Sequence, residues 1–125
     1  MYLASGLSRS TTGRQVSICE LLVEAELNYR NKKLLEACRQ LPCQFPGCGK
    51  EDGTVVACHS NQIRDAKGTG IKAHDYRIAA MCHQHHMEID QGSQYNKAQR
   101  WAIWEEAHRN SIGALFERGI IDVKL

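Results

Sequence analysis

Long apolar runs are absent from this chain of 125 residues, and its first residues, "MYLASGLSRSTTGR", contain no continuous apolar stretch. The first absence argues against a membrane-spanning helix and the second against a secretory leader, so a cytoplasmic setting with no membrane partner is expected. Charge of one sign is not in excess: 16 Lys+Arg stand against 14 Asp+Glu, a net charge of +2. Composition alone therefore does not announce a nucleic-acid binder. No C-x2-C pair occurs, which speaks against a dithiol redox role. There is no internal repeat and no low-complexity segment. Proline is scarce, and both prolines fall in one turn-dense stretch, "PCQFPGCGKEDG", with three glycines.

Cysteine, by contrast, is plentiful, with six in a small chain. Without a leader, a disulfide framework is not expected, and metal ligation is the better reading for some of them. One domain of this size buries only a modest core, which a metal staple would supplement. Charge is also unevenly spread. Arg30, Lys32, Lys33, Arg39 and Lys50 face a single Glu36, and Arg64, Lys67, Lys72 and Arg77 face Asp65 and Asp75. A solvated mixed surface and a phosphate-contacting patch both fit this distribution.

Residues 1–14 show no periodicity and read as a loose arm. From Val16 to Leu41 the pattern is helical, with one stripe at Ile18, Leu22, Ala25 and Tyr29 and another at Leu34, Leu35, Cys38 and Leu41. One long helix or two, broken near "NYRN", both suit it, and Pro42 sets the end at Leu41. "TVVACH" and "YRIAAM" read as strands, separated by a polar loop containing "KGTGIK". "HQHHMEIDQ" predicts a short helix ended by Gly92. "NKAQRWAIWEEAHRNSIGALFERG" predicts an amphipathic helix that buries Trp101, Trp104, Ala107 or His108, Ile112 and Leu115. The expected architecture is a compact α+β module.

Cys43 and Cys48 have C-x4-C spacing across a turn, and Cys82 and His85 have C-x2-H spacing at a helix start. Two short pairs flanking a structured insertion can meet as a tetrahedral Cys3His zinc site, although buried thiols are the competing reading. His83 and His86 are neighbours of His85, and the commoner C-x2-H arrangement selects His85. Cys19 and Cys38 fall on helical stripes and read as core residues.

His86 points about 100° further round the helix than His85 and shares a face with Asp90, four residues on. Such a pair suits either a divalent cation or a local hydrogen bond. Glu88 lies on another face and reads as solvated. His59 ends the first strand and Asp75 opens the second. A strand-end histidine, a polar residue before the next strand and a helix histidine follow the order of a ββα-metal module. Histidine can deprotonate water near neutral pH, and a cation can stabilise charge developing on a phosphate. In "KGTGIK" the glycines permit close backbone approach and Lys67 and Lys72 supply charge, which suits either a phosphate contact or a flexible connector.

The run from "RNKKLLEACRQLPC" through "TVVACHSN", "KGTGIKAHDYRIAAMC" and "HHMEIDQG" to the Trp-rich helix resembles a family of small lambdoid-phage and prophage HNH nucleases of the YbcO type, related to the recombination-enhancement nuclease Ref. The resemblance covers about residues 30–122. It implies a zinc-stabilised ββα-metal (HNH-like) nuclease domain over residues 30–125, flanked by N- and C-terminal helices, with residues 1–29 an N-terminal arm and helical extension. It implies His59 as general base, Asp75 as the residue that braces the loop and orients that base, and His86 as a ligand of the catalytic cation, joined by Asp90. Cys43, Cys48, Cys82 and His85 match a structural zinc set. The implied activity is metal-dependent DNA endonuclease, with Zn2+ structural and Mg2+, Mn2+ or Zn2+ catalytic. Lys67, Lys72, Arg64 and Arg77 would contact DNA in a bacterial host cell, in recombination or DNA processing, with a recombinase filament as a further partner. Two departures stand out. His85 replaces the more usual fourth cysteine, and Cys58 precedes the base where HNH nucleases often carry an acidic ligand. The alternative is a catalytically silent zinc-stabilised DNA-binding or adaptor module.

Overall fold

Asn31 starts the first helix in the computed structural model, which describes residues 28–125. Its backbone is extended and its side chain accepts the Leu34 N–H at 3.0 Å, satisfying one of the donors that a helix start leaves unpaired. The extended backbone at Asn31 excludes the alternative of one unbroken helix through "NYRN", and helix α1 spans Lys32–Arg39. It ends short of Leu41, because its last turn tightens: Gln40 and Leu41 donate to Ala37 and Cys38, three residues back. The loose arm, the stripe at Ile18, Leu22 and Ala25, and Cys19 lie outside the described residues.

Strands β1 (Val56–His59) and β2 (Ile78–Met81) pair antiparallel, with Val56 opposite Met81 and His59 opposite Ile78. Both begin later than the sequence pattern implies. Thr54 is drawn out of the strand by its hydroxyl, which donates to Asp52 and accepts the His83 N–H. Arg77 donates its N–H to His74, so residues 74–77 form a turn and Asp75 lies before β2, not in it. Helix α2 (His83–Asp90) follows β2 directly, and α3 (Lys97–Glu117) follows behind a capping box of Asn96 and Gln99. The architecture is a small α+β fold with a two-stranded antiparallel sheet and three helices among the described residues. None of these helices is long and apolar enough to cross a membrane.

A two-stranded sheet leaves strand edges with unpaired backbone groups. Helix α3 supplies several of the partners. Ser111 Oγ accepts the Ala80 N–H at 2.9 Å, His108 Nδ1 lies 2.7 Å from Ile78 O, and Trp104 Nε1 donates to Cys58 O at 3.0 Å. The buried stripe of α3 is accordingly Trp104, Ala107, His108, Ser111 and Leu115: both of the alternatives Ala107 and His108 are buried, and the polar Ser111 joins them. Ile112 is only half-buried, and Trp101 is 37% exposed, contrary to the pattern that buries it. The reason is length: 21 helical residues span roughly 31 Å, whereas four-residue strands span roughly 13 Å, so the start of α3 overhangs the sheet. Cys38 and Cys58 are core thiols, each pushed up to about 12 by burial.

Candidate functional site

The knuckle is built by its glycines and backbone bonds. Gly47 and Gly49 both take positive φ (81° and 69°), which side-chain-bearing residues rarely adopt. Cys43 donates its N–H to Lys50 O at 2.9 Å, Gly49 donates to Cys43 O, and Cys48 donates to Phe45 O. Gln44 N–H then bonds Ala80 O at 2.7 Å, tying the knuckle to β2 and bringing Cys43 beside Cys82, the N-cap of α2.

Cys43, Cys48, Cys82 and His85 consequently offer four ligand atoms that all lie within 4.8 Å of one another. His85 Nδ1 is 3.7 Å from Cys43 Sγ and 3.4 Å from Cys82 Sγ. Bond lengths of about 2.3 Å to sulfur and about 2.0 Å to nitrogen imply tetrahedron edges of roughly 3.5–3.8 Å, so the set fits zinc. Phe45 stacks on the His85 ring at 3.8 Å and fixes its orientation. Burial pushes the Cys43 thiol up to about 12. Burial opposes ionisation of Cys48 too, but the Lys50 amide, the Cys43 and Cys82 thiols and the Lys50 charge outweigh it and lower that thiol. A divalent cation bound by the four residues would displace the thiol protons and supply the counter-charge for the thiolates. Of the three neighbouring histidines only His85 brings a ring nitrogen into the cluster.

A second polar centre forms where β1 ends. His59 Nε2 lies 2.8 Å from Asp75 Oδ1. Asp75 is 2% exposed and also accepts the Asn31 N–H at 2.7 Å and Arg30 Nη1 at 3.2 Å. Burial alone would raise this carboxyl, but the bonds from His59 and Asn31 and the Arg30 charge hold it below the usual carboxylate range. Close by, Ser60 Oγ donates to Asp65 Oδ2 at 2.5 Å, and His74 Nδ1 accepts the Tyr29 N–H. Burial and the charges of Arg30 and Arg77 lower the His74 imidazole, in keeping with a neutral acceptor.

The remaining predicted residues are not drawn into one cluster. Asp90 is exposed and accepts from Asn61 Nδ2 at 3.1 Å. Among the described residues, His59, His86 and Asp90 do not form a compact ligand group like the knuckle set. Glu88 is half-buried, not fully solvated, and accepts from Gln84. Arg64 pairs with Glu105, and Arg77 lies 3.4 Å from Asp65. The "KGTGIK" loop folds into a turn closed by its own backbone bonds. Gly68 and Ile71 exchange backbone bonds of 3.0 Å, Gly70 takes positive φ, and Lys67 Nζ folds onto Gly68 O. Sequence reasoning missed Ser60, Asp65 and the roles of Arg30 and Asn31 around Asp75. Only Asn31, a good N-cap residue ahead of a helical stripe, carried a local signal.

No family model, curated protein or solved structure matches this chain.

Proposed function

We propose that this protein is a metal-dependent DNA endonuclease of the ββα-metal type, hydrolysing phosphodiester bonds in recombination or DNA processing, as its likeness to the lambdoid-phage HNH nucleases suggests. The observation that carries the reading is the His59–Asp75 pair. With Nε2–H donated to a buried carboxylate, the imidazole keeps Nδ1 as its basic nitrogen and is held in one orientation. His59 takes a proton from the attacking water at Nδ1, and Asp75 stabilises the imidazolium that results. His86 and Asp90 would hold the divalent cation, which when bound supplies charge stabilisation at the phosphate and leaving oxygen. Cys43, Cys48, Cys82 and His85 would hold a structural zinc that anchors α2, and with it His86, to the knuckle. Lys67, Lys72, Arg64 and Arg77 contact the phosphate backbone, and a recombinase filament is a further candidate partner.

A zinc-stabilised adaptor without catalysis is the second reading. It is favoured by the engagement of Asp90 with Asn61 and of Arg64 with Glu105. Nuclease assays on single- and double-stranded DNA decide between the two, using zinc-loaded protein freed of exchangeable cations and then given Mg2+, Mn2+ or Zn2+. Cation-dependent cleavage supports the nuclease; DNA binding without cleavage under every cation supports the adaptor.

A further inference from the structure

The overhanging start of α3 forms one wall of a cleft of about 190 Å³. Trp104 and Ile89 make its apolar floor, both nearly buried. Trp101 stands at its side, an indole 37% exposed in a chain whose other tryptophan is 4% exposed. Lys97 Nζ lies over one face of the Trp101 ring, 4.8 Å from its centroid, so a base would stack on the other face, and Arg100 lines the same cleft. Asn61, Gln62 and Asp90 complete the lining; Asn61 donates to the Asp90 carboxylate and Gln62 to Glu105, which leaves the amide oxygens as free acceptors among the described residues. An aromatic face, two cations that outnumber the one carboxylate, and amide oxygens around one small cleft are the elements that hold an unstacked nucleobase and its phosphate. The cleft is too small for a duplex and has the scale of one planar ring.

Its position matters as much as its chemistry. Asp90, a proposed cation ligand, lines the cleft itself, and Asn61 on the same lining follows His59 by two residues of chain. We propose that the Trp101–Lys97–Arg100 cleft is a stacking site for one base of single-stranded DNA, seating a strand beside His59 and Asp90. The identity of the ligand as DNA rests on the nuclease reading; the cleft itself rests on its own side chains.

The test is equilibrium binding of a labelled oligothymidylate to the zinc-loaded full chain, in a mild chelator that leaves the zinc in place and prevents cleavage. Anisotropy and tryptophan quenching are read for wild type, Trp101→Phe, Trp101→Ala and Lys97→Ala with Arg100→Ala. Stacking of one base predicts that Trp101→Ala weakens binding roughly tenfold or more, with Trp101→Phe in between. The double variant should lower the logarithmic salt slope by about 0.7 for each phosphate it no longer neutralises. An oligomer with abasic sites should bind wild type no better than the thymidylate binds Trp101→Ala. Unchanged melting and zinc content of Trp101→Ala exclude loss of fold as the cause. Equal affinities of wild type and Trp101→Ala, indifference to abasic substitution, or no binding of the oligomer at all would each overturn the proposal. Trp101-dependent binding by a protein that cuts DNA under no cation would keep the stacking site and sink the nuclease.

Discussion

His59 Nε2 lies 2.8 Å from Asp75 Oδ1 across sixteen residues of chain, and the aspartate is held in turn by the Asn31 amide and the Arg30 guanidinium. This relay ties the end of β1 to the start of α1 through one buried carboxylate. It gives His59 a fixed ring and a defined basic nitrogen, and it links the proposed chemistry to stability.

His59→Ala should reduce cleavage by roughly a hundredfold or more, the scale of a missing general base. Asp75 keeps two partners in this variant, so stability should fall by only about 1 kcal/mol, with zinc content and DNA affinity retained. His86→Ala should also abolish cleavage, but through a weakened isotherm for Mg2+ or Mn2+, which His59→Ala should leave intact. Single-turnover cleavage and paired metal titrations separate the two. Wild-type cleavage by His59→Ala would remove the proposed mechanism.

Asp75→Ala should cost about 1–3 kcal/mol at neutral pH, because the part-buried donors of His59, Asn31 and Arg30 lose their shared acceptor. The carboxyl is held below its ordinary range in the folded protein, so its stabilising contribution is full above the unfolded value near 3.9 and is lost as pH falls through the folded value. The gap between wild type and variant in urea denaturation should therefore narrow in acid. A gap that stays constant down to pH values below the ordinary carboxylate range would show that the loss is one of packing.

Cys82→Ser or Cys43→Ser should abolish cooperative melting and stoichiometric zinc. Structural zinc contributes on the order of 10 kcal/mol, comparable to the whole stability of a small domain. Cys38→Ala, a change to a buried thiol outside the cluster, should keep full zinc content and lose only about 1 kcal/mol of packing. Elemental analysis beside thermal melting checks both, and full zinc in Cys82→Ser would overturn the ligand assignment.

Lys67→Ala with Lys72→Ala should weaken duplex binding alike for all sequences. Each phosphate left without its lysine lowers the logarithmic salt slope by about 0.9, so two lower it by about 1.8. The turn that carries them is closed by its own backbone bonds, so the substitutions should leave its geometry in place. An unchanged slope in a fluorescence titration would place the DNA on another face.

The features legible in the amino-acid order are those that depend on near neighbours. Paired spacings at Cys43/Cys48 and Cys82/His85, the N-cap at Asn31 and the capping box at Asn96 each rest on a few adjacent residues, and all appear in the structure; the apolar stripes appear only in part. Choosing His85 among three histidines was also local, since C-x2-H spacing carries it back to Cys82. Other features arise only when distant segments meet. Whether Trp101 is buried depends on where the four-residue strands stop relative to a 21-residue helix, which no helical period contains. Ser111 and His108 are buried because β2 has an edge to satisfy, a demand made by a strand some 30 residues away. Asp75 is a buried acceptor for His59, Asn31 and Arg30 only once three separate segments converge on it. Local spacing fixes which residues can act as a pair; burial and convergence follow from the balance of backbone satisfaction and packing over the whole fold.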